Sequence, residues 1–241
     1  MSATRPSGGG AEATSPTGAS RPGSSAREAG AKAAPDKRRL ILDAAVRVFA
    51  RQGFHACRVA DIADEAGVAY GLVYHYFGSK DEVLDTLFLE RWGVMLELIR
   101  EVDAEPLPVR EKLRAIASFI IDSYRHDPDL MKVIIVEVTR AANSFGQTHL
   151  AQIREAYELI GRIVQQAQDD GVFKSEIEAR FAAMAFYGVI EQLLTGWIFD
   201  LLPQGADEFE KAKSIVVETV CGGLEVAPVS DGTTSGNTLP R

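Results

Sequence analysis

The sequence "GVAYGLVYHYFGSK" (residues 67–80) is the most unusual stretch of this 241-residue chain. It places four aromatic rings, those of Tyr70, Tyr74, Tyr76 and Phe77, within eight positions. A short helix that only packs against a core needs a single apolar face. At about 100° per residue, the rings of this stretch point to more than one side of a helix. The pattern therefore indicates a helix with two different surfaces to contact.

Val73 and Phe77 are one helical turn apart and form the natural inward-facing pair of this helix. Tyr70 and Tyr74 fall on the same broad arc as that pair, with Tyr74 at its flank. The opposite arc carries Leu72, Gly71, His75 and Tyr76. We therefore expect the helix to pack inward through Val73 and Phe77 and to present other side chains to a second surface.

The residues before this stretch complete a helix-turn-helix pattern. The segment "RVADIADEAG" (residues 58–67) has apolar residues at helical spacing, namely Val59, Ile62, Ala63 and Ala66. A turn at Gly67 and a second short helix from about Ala69 would follow. In that arrangement the second helix enters the major groove of DNA, where Gly71 permits close backbone approach and tyrosine hydroxyls and His75 reach phosphates or base edges. The alternative is an ordinary corner between two helices.

The remainder of the chain between its two ends has helical periodicity. The segment "DKRRLILDAAVRVFARQGF" (residues 36–54) predicts a first helix that stops at Gly53, and Ser79 with Glu82 predicts a capping box. Further helices are predicted over residues 80–103, 107–126, 128–141, 147–170, 176–200 and 207–223. No convincing pair of strands is present, so we predict an all-α fold.

Composition sets the boundaries of the predicted domains. In residues 1–35, 28 residues are Gly, Ala, Ser, Thr or Pro, and such a segment cannot bury enough apolar surface to offset its ordering entropy. We therefore predict disordered tails over residues 1–35 and 226–241. Between the tails we predict a three-helix DNA-binding domain over 36–96, with the helix-turn-helix at 58–77, and a helical-bundle domain over 97–225.

The net charge of −8 is unevenly divided. Residues 1–80 contain 11 Lys and Arg against 7 Asp and Glu, a balance of +4, whereas residues 81–241 contain 15 against 27, a balance of −12. The N-terminal part of the chain (residues 1–80) is therefore mildly basic and the remainder is acidic, which suits contact between the N-terminal part and nucleic acid. Chance variation explains the charge pattern equally well on its own.

Several other classes of protein are not indicated. There is no run of about 18 apolar residues to predict a membrane span, and the N-terminus lacks the apolar core of a signal peptide. Cys57 and Cys221 lie far apart, so we expect reduced thiols and a cytoplasmic protein. The scattered histidines have no carboxylate or cysteine at ligand spacing, so we expect no metal site and no cofactor. These histidines are His55, His75, His126 and His149.

The segment "ILDAAVRVFARQGFHACRVADIADEAGVAYGLVYHYFGSKDEVL" (residues 41–84) resembles the DNA-binding domain of the TetR family of bacterial transcriptional regulators. The resemblance implies DNA contacts from the recognition helix, from the start of the second helix and from a phosphate-binding lysine that begins the fourth. The implied positions are Arg58, Ala69, Tyr70, Gly71, Leu72, Tyr74, His75 and Lys80.

This sequence departs from the usual pattern of the family at three places that bear on the choice of operator. Cys57 and Arg58 stand where two threonines are usual, so a long cation replaces a hydroxyl. Ala69 stands where a serine often starts the recognition helix. Leu72 replaces a threonine or serine, and an apolar side chain there suits the methyl group of a thymine.

The resemblance further implies a regulatory body with an internal ligand pocket and a two-fold dimer formed by the last two helices. The segment "ARFAAMAFYGVIEQLLTGWIFDLL" (residues 179–202) independently favours a dimer, because it is apolar on almost every side. We therefore expect a homodimer through about 176–200 and 207–223, a near-palindromic operator in double-stranded DNA, and a small hydrophobic ligand. Candidate pocket residues are Trp92, Met95, Phe119, Tyr124, Met131, Ile135, Tyr157 and Phe186.

The body also resembles one branch of the family, the acyl-CoA-responsive repressors of fatty-acid degradation. The similar stretches are residues 59–63, "DPDLMKVIIVEVTR" (127–140) and "AMAFYGVIEQLLTGWIFD" (183–200). This resemblance implies a repressor that a fatty acyl-CoA releases from its operator. It also implies an apolar tunnel for the acyl chain and basic residues for the phosphates, for which the candidates are Arg110, Lys112, Arg114 and Arg154.

Two other interpretations stay open. The first is a repressor that senses a drug-like or other hydrophobic effector, although the sequence shows no evident buried acid. The second is a helical acyl-binding protein or enzyme in which Glu137 and Glu191 pair as carboxylates. No Ser-His-Asp, Cys-His or phosphate-loop pattern supports catalysis, so we expect that the protein is not an enzyme.

Overall fold

The computed structural model of the protein describes residues 36–137 and 147–226. In these ranges no strand forms, and the sole β-type pairing is an isolated bridge between Phe173 and Glu225. The predicted all-α fold is confirmed. The helices are α1 (Lys37–Gln52), α2 (Val59–Ala66), α3 (Tyr70–Phe77), α4 (Lys80–Ala104), α5 (Val109–His126), α6 (Pro128–Lys132), a π-helical turn (Val133–Glu137), α7 (Gln147–Asp169), α8 (Ala179–Ile198) and α9 (Ala206–Leu224).

Local chemistry sets the ends of the first helices. The Asp36 carboxylate accepts a hydrogen bond from Arg38 N at 3.0 Å and caps α1. Gly67, with φ of 63°, ends α2 in the left-handed conformation that glycine adopts without strain. The predicted capping box at the start of α4 is half formed. Ser79 Oγ accepts from Glu82 N at 3.0 Å, but Ser79 N donates to the Phe77 carbonyl.

Two predicted boundaries need correction. The helix predicted over 176–200 begins at Ala179, because Gln168 Nε2 donates to the carbonyls of Lys174 and Ile177, both at 2.7 Å, and holds the preceding connection in a non-helical path. The helix predicted over 128–141 is α-helical only as far as Lys132 and continues as the π-helical turn. Residues 138–141 of that helix, the tail over 1–35 and the tail beyond Val226 lie outside the described residues.

The buried side chains form two hydrophobic clusters. The N-terminal cluster contains residues of α1, α2, α3 and the first two turns of α4. The C-terminal cluster contains residues of α4 from Phe88 onward and of α5 to α9. Helix α4 therefore runs through both, with Leu84 buried in the first cluster and Trp92 and Ile99 buried in the second.

A second connection between the clusters follows α6. Val133 is fully buried in the N-terminal cluster, whereas its neighbours Ile134 and Ile135 are buried in the C-terminal cluster. The Lys132 ammonium donates to the carbonyl of Ala50 in α1 at 2.9 Å and fixes this contact. Consecutive residues of one short turn thus belong to different cores.

Ion pairs support the packing of α1 against its neighbours. The Glu65 carboxylate on α2 accepts from Arg47 Nε at 2.8 Å and from Arg51 Nη2 at 3.1 Å, both on α1. Hydrogen bonds to these two guanidinium groups lower the pKa of Glu65. Arg38 pairs with Glu90 of α4 at 2.7 Å. These contacts join the exposed edges of α2 and α4 to α1.

Helix α8 is long and apolar enough to span a membrane by length and composition alone. Its residues Ala183, Phe186 and Ile190 are fully buried within the C-terminal cluster. Burial of one face is typical of the central helix of a folded domain, so the length and composition of α8 are weak evidence for a membrane span.

The burial of Phe77 generates a stability prediction. The Phe77→Ala variant should lower the free energy of unfolding by about 3–5 kcal/mol, since it leaves a cavity beneath α3. The matched variant Tyr76→Ala changes the adjacent but exposed ring and should stay within about 0.5 kcal/mol of wild type. Urea unfolding of the three proteins at one concentration checks both values. An equal loss in the two variants would contradict the assigned anchoring role.

Candidate nucleic-acid interface and effector cavity

Helix α3 is anchored by two side chains and exposes most of the others. Val73 and Phe77 are 1% and 4% exposed, as the spacing predicts. Tyr70 and Tyr74 share their arc in projection, yet both are about half exposed. The Tyr70 hydroxyl donates to the Tyr74 hydroxyl at 3.0 Å, and the two rings meet edge to face with centroids 5.1 Å apart. They form a paired aromatic edge on the outside of the helix.

The other predicted contact positions surround this edge. Ala69, Gly71 and His75 are exposed, and Leu72 is partly buried. A Cβ atom built on Gly71 would meet nothing within 4 Å, so this part of the helix is bare backbone beside open space. A second molecule can approach α3 closely at this point.

Arg58 stands immediately before α2 with an exposed side chain. Its backbone N–H donates to the Asp61 carboxylate at 2.7 Å, so the helix start is capped by Asp61 rather than by a hydroxyl at position 58. Cys57, beside it, is buried with its thiol donating to the Phe54 carbonyl. The arginine is therefore free of any capping task, and its guanidinium faces outward.

Lys80 has a structural task that the sequence did not reveal. Its ammonium donates to the Phe54 carbonyl at 2.6 Å and to the Cys57 carbonyl at 3.0 Å, and it lies 4.4 Å from the centroid of the Phe54 ring. Two of its three N–H donors thus bind the loop that precedes α2, which leaves one for an external partner. No local pattern signals this role, because the loop is more than 20 residues away in sequence.

A cavity of about 150 Å³ lies inside the C-terminal cluster. Three of the predicted pocket residues, Trp92, Ile135 and Tyr157, line it. The other lining residues are Phe88, Ile134, Ile153, Tyr187 and Glu191. Ile134 and Ile135 belong to the π-helical turn that also places Val133 in the N-terminal cluster, so a wall of the cavity is covalently continuous with that cluster.

Five predicted pocket residues do not line this cavity. Tyr124 stacks on Trp197 with ring centroids 5.6 Å apart, and the Arg91 guanidinium lies 4.7 Å from the centroid of the Phe119 ring. The remaining three are buried core residues, namely Met95, Met131 and Phe186. Helical periodicity identified them as buried but could not separate a packed position from one beside a void.

Polar groups line part of the cavity. Burial raises the pKa of the half-buried Glu191 carboxyl. Burial and the nearby Glu191 also raise the pKa of the Tyr157 and Tyr187 hydroxyls. The Trp92 indole Nε1 is buried and has no hydrogen-bond acceptor in the described part of the chain. The sequence showed no evident buried acid, and the structure places the half-buried Glu191, a single acidic residue in the apolar run of α8, at this cavity.

An open groove of about 780 Å³ adjoins the cavity between α7 and α8. Ile153 and Tyr157 line both spaces and therefore form a boundary that the cavity and the groove share. Three arginines, Arg154, Arg162 and Arg180, line the groove together with one acid, Glu158, so its lining has a net positive charge. Arg180 pairs with Glu178, and Arg162 Nη2 lies 4.0 Å from Asp103 Oδ2. The groove can accept an anion, and the cavity can accept an attached apolar group.

Two of the other basic candidates for phosphate binding are held by carboxylates or carbonyls. Arg110 pairs with Glu218 and Glu225, and the Lys112 ammonium donates to the Asp103 carbonyl at 2.6 Å. Among residues 36–137 and 147–226, no group of three His, Cys, Asp or Glu side chains could hold a metal ion.

Two family models match this chain. The model of the bacterial regulatory proteins of the tetR family matches residues 41–87, which contain α2, α3 and most of α1. The model of the C-terminal region of the YsiA-like protein matches residues 88–205. Together they span residues 41–205, which contain the N-terminal cluster and the C-terminal cluster apart from its α9 residues.

Individual relatives agree with this assignment. The fatty acid metabolism regulator protein of Bacillus subtilis (strain 168) is 31% identical over 161 residues, which are 66% of this chain and 82% of that protein. The crystal structure of the transcriptional regulator FadR from Bacillus subtilis in complex with stearoyl-CoA is 27% identical, with a TM-score of 0.69 over 77% of this chain and 98% of that chain. The structure of the fatty acid degradation regulator FadR from Bacillus halodurans is 28% identical, with a TM-score of 0.70 over 80% of this chain and 97% of that chain.

The exposed helix of a helix-turn-helix, the helical body behind it and these matches lead to one conclusion. The chain belongs to the TetR family of bacterial regulatory proteins and is a DNA-binding transcriptional regulator.

Proposed function

We propose that this protein is a dimeric repressor that binds a near-palindromic operator through α3 and leaves it when an acyl-CoA occupies the regulatory body. The observation that carries the proposal is the adjacency of a basic groove and an interior cavity whose wall continues into the DNA-binding half of the chain. The proposal places the protein in the cytoplasm, where operator DNA and CoA thioesters are both present.

The DNA side of the proposal rests on α3 and its surroundings. The paired hydroxyls of Tyr70 and Tyr74 offer hydrogen-bond donors and acceptors to base edges, and the bare backbone at Gly71 allows the helix to lie deep in a major groove. Arg58 and the remaining N–H of Lys80 are suited to phosphates on either side. In this proposal the tyrosines contact base edges and determine sequence specificity, and the cations contact phosphates and position the protein on the duplex.

The proposed dimer uses α8 and α9. Phe181 and Met184 on α8 and Ile215 on α9 are each at least half exposed in the single chain. Large apolar side chains grouped on an exposed surface mark interaction sites. A two-fold pairing of these helices would cover them and would set two α3 helices on successive major-groove faces, about 34–36 Å apart. Met184 also lines the groove, so the groove would open beside the dimer interface.

The effector class is supported by two lines of evidence. A similar regulator has been crystallised in complex with stearoyl-CoA. In this chain, the groove supplies Arg154, Arg162 and Arg180 for the phosphates of CoA, and the cavity behind Tyr157 supplies space for an acyl group. A drug-like cation remains the second candidate, because the half-buried Glu191 carboxyl offers it a partner. Three arginines at the mouth favour an anion.

Transmission follows from how the cavity is built. Trp92 and Phe88 of α4 line it, and α4 continues into the N-terminal cluster at Leu84. A ligand lowers operator affinity only if it binds the DNA-free arrangement more tightly than the DNA-bound one. Expansion of the cavity would displace α4 and the π-helical turn together, and both reach the cluster that anchors α3.

The first prediction concerns base reading. Tyr74→Ala should weaken operator binding by about 1–3 kcal/mol, because it removes a base contact and the hydrogen bond to Tyr70. Tyr74→Phe keeps the ring and should reproduce the part of the loss that the hydroxyl causes. Fluorescence anisotropy on an operator fragment at fixed salt measures both. Wild-type affinity in Tyr74→Ala would remove this residue from the interface.

The second prediction concerns phosphate contacts. Arg58→Ala and Lys80→Ala should each weaken binding to all DNA sequences alike and reduce the slope of log K against log salt by about 1. Lys80→Ala should also lower the melting temperature, since it releases the Phe54 and Cys57 carbonyls. A salt titration and a thermal melt of each variant test this. An unchanged slope in both would refute the phosphate assignment.

The third prediction concerns the effector. A panel of acyl-CoA thioesters should contain members that release the operator, and Arg154→Ala should raise the concentration for half-release about tenfold by removing a charge-assisted contact, equivalent to about 1.4 kcal/mol. The control Arg125→Ala removes an exposed arginine outside the groove. Operator affinity that no acyl-CoA in a broad panel changes would reject the proposed effector class.

A further inference from the structure

The cavity is small for a long acyl chain. Its volume of about 150 Å³ is below the range of roughly 300–1,000 Å³ that is usual for pockets holding drug-sized ligands. Large aromatic side chains restrict it, with the Trp92 and Tyr187 ring centroids 6.0 Å apart and those of Tyr157 and Tyr187 5.8 Å apart. A short acyl group fits this space, whereas a stearoyl chain would require the rings to move apart.

The mostly apolar wall of the cavity also carries two polar groups. Trp92 is 7% exposed, and its Nε1 donor has no acceptor within the described residues. Glu191 contributes a half-buried carboxyl to the same wall. An alkyl chain would exclude water from both groups without replacing its hydrogen bonds, which is unfavourable.

Comparison with the second tryptophan of the chain shows that the lack of an acceptor is specific to the Trp92 N–H. Trp197 is as deeply buried in the same cluster, at 2% exposed, but its Nε1 donates to the Pro203 carbonyl at 3.1 Å. Buried tryptophans usually find such a partner. Trp92 lines the cavity and Trp197 does not, so a ligand in the cavity could supply the acceptor that Trp92 lacks among the described residues.

We infer that the acyl group sensed by this regulator is short and carries a hydroxyl, which accepts a hydrogen bond from Trp92 Nε1 and donates one to Glu191. A hydroxyl is the simplest single group that can accept from an indole N–H and donate to a carboxylate. Tyr187, one turn before Glu191 on α8, has its ring in contact with both the Trp92 ring and the Tyr157 ring, and Tyr157 also lines the groove. This inference rests on the proposed acyl-CoA effector and specifies its acyl part.

The test compares three ligands with the full-length protein after removal of any co-purified ligand. Isothermal titration calorimetry is run with 3-hydroxyhexanoyl-CoA, hexanoyl-CoA and stearoyl-CoA. The hydroxylated thioester should bind about tenfold more tightly than hexanoyl-CoA and more tightly than stearoyl-CoA. The same order should hold for the concentration that releases the operator.

Variants locate the source of the preference. Trp92→Phe and Glu191→Leu should each reduce the preference for 3-hydroxyhexanoyl-CoA over hexanoyl-CoA to less than about threefold. The control Trp197→Phe removes an indole N–H that already has an acceptor, and it should keep the preference. The measured quantity is the ratio of two affinities in the same variant. A general loss of stability lowers both affinities alike and leaves this ratio unchanged.

The outcomes separate the two proposals. Equal binding of hydroxylated and plain hexanoyl-CoA, or tighter binding of stearoyl-CoA, overturns the hydroxyacyl inference and leaves the acyl-CoA effector in place. A preference that survives in both Trp92→Phe and Glu191→Leu overturns the assigned contacts. Failure of all three thioesters to bind overturns this inference, and with an unresponsive broad panel it overturns the proposed effector class as well.

Discussion

The packing of α4 into two hydrophobic clusters is the constraint on which the other features depend. Leu84 is buried with α1, α2 and α3, and Trp92 and Ile99 are buried with the helices of the body. A continuous helix transmits displacement because its backbone hydrogen bonds resist local bending. The Lys80 ammonium extends this link by holding the carbonyls of the loop before α2. Under the proposed function, a rearrangement around Trp92 would displace the N-terminal cluster that anchors α3.

Much of this architecture could be predicted from local patterns. The pairing of Val73 with Phe77, the stops at Gly53 and Gly67 and the start of α4 after Ser79 all follow from periodicity and capping, which act over a few residues. The roles of Lys80 and Glu191 could not be predicted in the same way. Each depends on groups brought together by tertiary packing, and a single sequence carries no direct record of those distances.

The pocket illustrates the same limit. Eight residues were predicted to line it, and Trp92, Ile135 and Tyr157 do so. Of the other five, Met95, Tyr124, Met131 and Phe186 are buried and Phe119 is partly buried, but none of them lines the cavity. Helical periodicity indicates which residues are buried. The position of a cavity depends on how the side chains of several helices pack together, which periodicity does not indicate. The indole of Trp92 shows the difference, because only the fold reveals that its N–H has no acceptor among the described residues.

The five-residue π-helical turn Val133–Glu137 has a mechanical consequence. A turn with i→i+5 hydrogen bonds holds about one residue more than an α-helical turn, so its two ends are out of phase with an ordinary helix. Tightening it to α-helical geometry would turn Val133 relative to Ile134 and Ile135 by a discrete step and would slide the chain along its own axis. Because a change between π-helical and α-helical geometry moves the chain by a whole residue, the turn would adopt one of two distinct conformations. Under the proposed function, ligand binding in the cavity would therefore shift the protein between two states and would not produce a graded distortion.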